Sequence, residues 1–240
     1  MLNVDVIPCL NDNYSYIIYD DVSNLVGVVD PSEFDVIDIM VTKKYKKLDF
    51  ILNTHHHFDH VGGNEELKKK YNSSVVGYKH DVKRIPGINI LLDDNQIWKA
   101  DNFEAKIMHI PGHTTGHISF YFFNEKLIFT GDTLFSLGCG KIFEGTYEQM
   151  FLSLNKLKKL PEDTMIYCGH EYTLQNSKFC ISHDSNNLNL QKKIKKIKEN
   201  LNNNMPTIPT ILKDELECNI FLRAKNVESF SKLRDLKDNF

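Results

Sequence analysis

The sequence predicts an α/β (α+β) fold in which two sheets pack together under a cover of helices, followed by a helical C-terminal region. Apolar or alternating runs of strand length recur from the N-terminus to about residue 168. Segments with helical spacing are inserted between them, the pattern of sheets layered with helices. After about residue 172 the strand signals stop and amphipathic helix takes over.

Residues 1–30 hold three strand-like stretches that turn at Asn11-Asp12-Asn13 and at Asp20-Asp21. Phe34, Ile37, Val41 and Tyr45 recur at helical spacing and predict a helix ending in the Lys-rich turn 43–47. Further strands are predicted at 48–53, 74–78, 103–109, 118–123, 126–130 and 164–168. Gly62-Gly63-Asn64 opens a polar helix over 65–71, and a helix over 147–160 takes Thr146 as its N-cap, with Pro161 beyond its end. Leu190, Ile194, Ile197 and Leu201 mark one face of an amphipathic helix. Lys192, Lys193, Lys195, Lys196 and Lys198 lie mostly elsewhere and read as a solvated face. Residues 202–209 read as a loop. The expected division is a catalytic domain over 1–172 and a helical domain over 173–240.

A chain of 240 residues can bury a substantial core. Its 41% hydrophobic and 25% charged residues are an ordinary globular balance. No apolar run approaches the roughly 18 residues a membrane span needs, so no membrane role is expected. The N-terminus already reads as a strand and has no basic leader, so neither a signal nor a transit peptide is expected. Cysteines at 9, 139, 168, 180 and 218 form no Cys-x-x-Cys pair, which predicts reduced thiols and a cytoplasmic location. Cys168 is expected to pack rather than to bind metal. Residues 185–240 carry 11 Lys or Arg against 7 Asp or Glu, while the whole chain is at −3. That local excess can attract an acidic small molecule. Basic and aromatic residues do not interleave and form no dense stripe, so nucleic acid is not an expected partner.

The chemistry is carried by four motifs just past apolar runs. Thr54-His55-His56-His57-Phe58-Asp59-His60 puts His55, His57, Asp59 and His60 within six residues. Imidazole and carboxylate suit Zn, Fe or Mn, and ligand pairs this close favour two ions over one. A structural zinc site would be richer in Cys. Pro111-Gly112-His113-Thr114-Thr115-Gly116-His117, Gly131-Asp132-Thr133-Leu134-Phe135 and Cys168-Gly169-His170-Glu171-Tyr172 repeat the arrangement, with a Gly where the backbone leaves the sheet. His56 sits between ligands in an extended segment and should point away from them. His117 either donates a hydrogen bond near the site or packs. His80, His109 and His183 have no motif partner.

This series resembles the metallo-β-lactamase superfamily and, within it, the glyoxalase II (hydroxyacylglutathione hydrolase) family. The opening Ile7-Pro8-Cys9-Leu10-Asn11-Asp12-Asn13-Tyr14, the stretch Gly138-Cys139-Gly140-Lys141-Ile142-Phe143-Glu144-Gly145-Thr146 and the C-terminal tail are also similar to that family. The resemblance implies an αββα sandwich with a C-terminal helical domain. It also implies two divalent metal ions per chain, zinc first, with iron or manganese as alternatives. One ion would be held by His55, His57 and His113 and the second by Asp59, His60 and His170. Asp132 would bridge them, since a carboxylate can bind two cations. Asp59 and Asp132 would orient a hydroxide lying between the ions, with Asp59 as general base an alternative reading.

The implied reaction is hydrolysis of S-D-lactoylglutathione to glutathione and D-lactate, the second step of methylglyoxal detoxification. Arg234 and Lys237, three apart on one helical face, would grip the glycine carboxylate of glutathione. Lys141, Ile142, Phe143, His170, Glu171 and Tyr172 would complete the substrate site. Phe143 stands where some members of the family place a Tyr hydroxyl. The chain is expected to act as a monomer on this small-molecule thioester. A glutathione persulfide dioxygenase of the same fold, or a catalytically silent metal-binding protein, are the alternatives; the long helical tail and Lys141 weigh against the first.

Overall fold

Leu2–Cys9 (β1) and Asn13–Asp20 (β2) pair antiparallel along their whole length, and β2 pairs antiparallel with Leu25–Val29 (β3). The sheet then changes direction. β3 is followed by the helix Phe34–Met40 (α1), which runs on through a wider turn at Val41–Tyr45. Phe50–Leu52 (β4) returns parallel to β3. The short helix Phe58–Val61 (α2) and Asn64–Tyr71 (α3) lead to Ser74–Tyr78 (β5), and a 3₁₀ turn at Lys79–Asp81 precedes Ile90–Leu92 (β6). β4, β5 and β6 continue the parallel run. Parallel neighbours need crossovers, and helices supply them here. Ile37 and Val41 of the first crossover and Leu67 of the second bury against Ile17, Val28, Ile51 and Val75 of the sheet.

Ile97–Ala100 (β7), Phe103–His109 (β8), Ile118–Phe122 (β9) and Leu127–Gly131 (β10) follow as an antiparallel meander. Every residue of β9 and β10 is buried. Tyr16 meets Phe129 with ring centroids 5.3 Å apart, and Phe50 meets Trp98 at 5.2 Å, so aromatic contacts join the two sheets in this part of the chain. This computed structural model describes residues 2–240. The path described so far belongs to one compact unit, residues up to His109 with Gly116–Gly131; Ile110–Thr115 and Asp132–Phe240 form a second.

The second unit holds a small hairpin, Leu134–Phe135 (β11) with Gly138–Cys139 (β12), and the helix Tyr147–Leu157 (α4). Thr146 caps α4 as expected. Its hydroxyl accepts from the Gln149 N–H at 3.1 Å, and the Gln149 side chain accepts from the Thr146 N–H at 2.9 Å. Met165–Cys168 (β13) precedes Thr173–His183 (α5) and Leu188–Asn202 (α6). Then come Thr210–Ile211 (β14), Leu212–Cys218 (α7) and Val227–Asp238 (α8).

Four expectations need correction. α4 stops at Leu157, not 160, because residues 158–160 form a turn before Pro161. β6 and β7 fall where no strand was expected; each has only three or four residues and exposes part of them. Strands do not end at residue 172, since β14 pairs antiparallel with β13 through Ile166 and Thr210. Two residues defined only by a distant partner leave no periodicity to read.

The fourth correction is Lys193, which does not belong to a solvated face. Its Nζ donates to Glu215 Oε1 at 2.8 Å and to Thr210 Oγ1 at 2.7 Å, and Glu215 is fully buried. Glu215 also accepts from the Leu137 N–H at 2.7 Å. A buried carboxylate with that duty needs a cation, and Lys193 supplies it. All five cysteines are free and buried. Among the described residues no helix is long and apolar enough to cross a membrane.

Candidate metal centre

In the first unit the chemistry gathers at the carboxyl ends of two neighbouring parallel strands, β3 and β4, where an α/β sheet presents its loops. β3 ends at Val29, and Asp30 follows it in a left-handed conformation (φ 48°) with its N–H on the Leu52 carbonyl. The buried Asp30 carboxylate accepts the Thr54 N–H on Oδ1 at 2.7 Å and the Thr54 hydroxyl on Oδ2 at 2.6 Å. The same Oδ2 lies 3.0 Å from His60 Nδ1. A carboxylate only accepts, so His60 Nδ1 carries the proton and Nε2 presents a lone pair. Thr54 Oγ1 has given its hydrogen to Asp30, so it accepts from His55 Nδ1 at 3.0 Å. His55 is thereby left with Nε2 as its lone-pair nitrogen as well.

The seven-residue motif is not wholly extended. α2 begins at Phe58 and carries Asp59 and His60 on one helical turn, a feature the sequence did not suggest. Asn13 Nδ2 donates to Asp59 Oδ2 at 2.9 Å and to its carbonyl at 3.1 Å, fixing that carboxylate. Asp59 Oδ2 lies 3.6 Å from His60 Nε2. The His57 ring is 4.7 Å from the His55 ring, centroid to centroid. The His117 ring stacks on that of His55, centroids 4.6 Å apart with 18° between the planes.

His56 points elsewhere, as expected. Its Nδ1 lies 3.2 Å from Asp81 Oδ2 and its Nε2 3.3 Å from Arg84 Nη1. Burial pushes the Asp81 carboxyl upward, but hydrogen bonds from His56 and Arg84 outweigh it and hold the group below its ordinary range.

The second unit brings together His113, Asp132 and His170. His113 Nδ1 lies 2.7 Å from the Lys141 carbonyl, which can only accept. Nε2 is therefore the lone-pair nitrogen, 3.5 Å from Asp132 Oδ2. His170 Nε2 approaches the same oxygen at 3.2 Å. Tyr172 stacks on the His170 ring at 4.6 Å with 4° between planes, and Phe135 meets His170 edge-on. Gly140 is required here, because any side chain would collide with the Asp132 carbonyl. Cys168 is buried, its thiol is pushed up to about 12 by burial, and it donates to the His170 carbonyl at 3.5 Å.

The expected substrate residues are all in this unit, in differing states. Phe143 is 62% exposed, with the Lys141 ammonium 5.8 Å from its ring centroid. Ile142, between them, is half-buried. Both Glu171 carboxylate oxygens accept from Thr207, from its N–H at 2.9 Å and its hydroxyl at 2.6 Å, so this side chain ties down the loop before β14. Lys237 lies 5.4 Å from the Phe179 centroid and 5.3 Å from that of Phe240. Burial, with the neighbouring Arg234 charge, lowers its pKa. Arg234 is 5% exposed and bonded to the Cys139 carbonyl and to Asp238.

These donors fit a divalent cation. In each unit an imidazole with its lone pair fixed outward faces a carboxylate oxygen at 3.5–3.6 Å, acceptor against acceptor. A cation reconciles such pairs, and His with carboxylate is a donor set for Zn, Fe or Mn. Asp30, His55 and His60 also keep their ligand atoms within 4.8 Å of one another, but Asp30 is occupied in orienting the two imidazoles.

Residues 13–88 and 99–170 match the model of the metallo-beta-lactamase superfamily, and residues 171–240 match that of the hydroxyacylglutathione hydrolase C-terminus. A hydroxyacylglutathione hydrolase of Pelagibacter ubique is 64% identical over 239 residues, covering 100% of both chains. The chain belongs to the hydroxyacylglutathione hydrolase family. One of Methylococcus capsulatus is 38% identical over 254 residues, covering 100% of this chain and 99% of the relative. The fold is also that of ETHE1 from Myxococcus xanthus, with a TM-score of 0.74 over 98% of this chain and 90% of that one, at 22% identity. Seen as a hydroxyacylglutathione hydrolase, the chain has two residues at its centre that the motifs did not flag, Asn13 and Asp30. Asp30 follows an apolar run, Val28-Val29, so the rule that marked the other donors could have found it.

Proposed function

We propose that the chain hydrolyses the thioester of an S-2-hydroxyacylglutathione, S-D-lactoylglutathione in the first instance, to glutathione and the free hydroxy acid, D-lactate. This is the second step of methylglyoxal detoxification. The observation that carries the reading is the joining, in the second unit, of an Asp132 oxygen shared by two imidazoles with the 139–141 loop, whose Cys139 carbonyl accepts from Arg234 of the last helix. Kinship along the full chain with enzymes of that name supports it.

His55, His57 and His113 would hold one divalent cation, and Asp59, His60 and His170 a second, with Asp132 contributing to both. Zinc is the first choice, with iron or manganese as alternatives. Such cations, when bound, bring the pKa of water towards neutrality and polarise the thioester carbonyl. The chain's own residues prepare the rest. Asp30 fixes the tautomers of His55 and His60, and the Lys141 carbonyl fixes that of His113. Asn13 holds Asp59 in one rotamer. Arg234 and Lys237 would grip the glycine carboxylate of glutathione, with Lys141 as a further contact. Ile142, Phe143, His170, Glu171 and Tyr172 would complete the substrate site. Phe143 contributes a ring and backbone but no hydroxyl. A thiol with a pKa near 8.5 departs as thiolate, so no separate general acid is needed.

The expected division of labour is catalysis by residues 1–172 and glutathione binding by residues 173–240, in a cytoplasmic monomer. Following the thioester absorbance of S-D-lactoylglutathione, with and without a chelator, tests the reading. Rapid loss that the chelator abolishes is expected. No loss in a fully metallated sample, or oxygen uptake with glutathione persulfide instead, would overturn it.

A further inference from the structure

The segment 53–57 lies outside helix and strand, so side chains have to hold it in place. His56, between two donors, does this through both ring nitrogens. A carboxylate only accepts, so the 3.2 Å contact of Asp81 Oδ2 with His56 Nδ1 puts the proton on that nitrogen. Nε2 is then the acceptor, and Arg84 Nη1 donates to it at 3.3 Å. Arg84 closes the ring of bonds, giving Nε and Nη2 to Asp81 Oδ1 at 3.1 and 2.5 Å.

Asp81 is a firm anchor for this ring. It is 1% exposed and ends the 3₁₀ turn after β5. Its carbonyl accepts the N–H groups of Arg84 at 2.8 Å and of Ile85 at 3.0 Å, and Ile85 is buried in the core of the first unit. Gly116 packs against the carboxylate so closely that a Cβ there would lie 2.1 Å from Asp81 Oδ1. Burying a carboxylate is unfavourable unless it is paired and hydrogen-bonded. Here the pairing reaches a residue flanked by two metal donors.

We propose that Asp81 is a positioning residue: through His56 it fixes the 55–57 segment and so the mutual placement of the His55 and His57 rings, 4.7 Å apart with 74° between planes. This rests on the metal assignment of His55 and His57, but not on the thioester as substrate. Loss of a group that orients a ligand imidazole typically costs ten- to a hundredfold in metal affinity. Asp81→Ala should therefore weaken zinc affinity by about ten- to a hundredfold, measured by competition with a chromophoric chelator. His56→Leu should weaken it to the same extent. Adding Asp81→Ala to His56→Leu should weaken it no further, because the two side chains act as one device.

His56→Asn is the rescue. Its amide NH₂ can stand in for Nδ1–H towards Asp81, so most of the affinity should return. A packing role predicts the reverse order, since Leu fills apolar space better than Asn but donates nothing. Parent-like zinc affinity in His56→Leu, equal losses in the two His56 variants, or losses that add in the double variant would each overturn the proposal. If Asp81→Ala does not unfold cooperatively, the contrast between His56→Leu and His56→Asn decides alone. A parent that holds no zinc against the chelator would remove the metal assignment and the proposal with it. A parent that binds zinc but leaves S-D-lactoylglutathione intact would sink only the hydrolase reading, and the zinc affinities of the variants would still test the positioning role.

Discussion

The two units prepare their metal donors by different means. In the first, side chains do the work: the Asp30 carboxylate, through Thr54, orients two imidazoles, and the Asn13 amide holds a carboxylate. In the second, the main chain does it, through the Lys141 carbonyl on His113 and the close fit of Gly140 on Asp132. The difference follows from where the donors come from. Four first-unit donors leave a single strand, so one neighbouring strand end can serve several of them. Second-unit donors come from three separate places in the sequence, and a loop must be pressed against them. A side-chain organiser can be removed by one substitution, whereas a backbone organiser can be disturbed only through what holds the loop.

The largest effect should come from Asp132→Ala, because one oxygen lies near two imidazoles. Turnover should fall by more than the roughly hundredfold typical of residues that only orient a ligand, and metal should be lost while the far-ultraviolet circular dichroism is retained. Activity within about tenfold of the parent, roughly 1.4 kcal/mol in barrier, would remove Asp132 from its shared position.

Asp30→Asn comes next. An amide keeps the shape, but whichever way it turns its NH₂ must face a donor among Thr54 N, Thr54 Oγ1 and His60 Nδ1. A loss of about ten- to a hundredfold in metal affinity is expected, read by competition with a chelator. Parent-like affinity would show that the first unit does not depend on its side-chain organiser.

Asn13→Ala should cost less, about 1 kcal/mol and hence roughly fivefold in kcat/KM, since one neutral donor to Asp59 is lost. A change beyond about a hundredfold would mean that Asn13 touches the reaction itself.

The smallest effect concerns the thiols. Cys168→Ala should leave metal content unchanged by elemental analysis, because its buried thiol is turned to the His170 carbonyl. Burial raises Cys180 to about 12 and Cys218 to about 11. The folded state therefore holds thiol protons that the unfolded chain releases above about pH 8.5. That contribution to stability is complete below pH 8.5 and is lost as pH rises towards 11–12. Urea midpoints that rise from pH 8.5 to 10 in the parent, relative to Cys180→Ala, would contradict the sign.

Much of this could be read from sequence where a feature is local. β1 to β3 show alternation over many residues, and α4 announces itself through Thr146 and Gln149. The seven donors stand in compact motifs, and the structure gathers them within each unit. What escaped is defined by partners far away. β14 exists because β13 is beside it. Lys193 looks like its neighbours Lys192 and Lys195 until Glu215 is found beneath it. Arg234 shares a helical face with Lys237, as its spacing implies, yet only the fold reveals the Cys139 carbonyl under it.

That contact has a consequence in time. Cys139 and Arg234 are 95 residues apart. At 5–20 residues per second, roughly 5–20 s of synthesis separate the loop from the helix that locks it. The bond between that loop and the last helix would then form only after every donor of the centre has been synthesised.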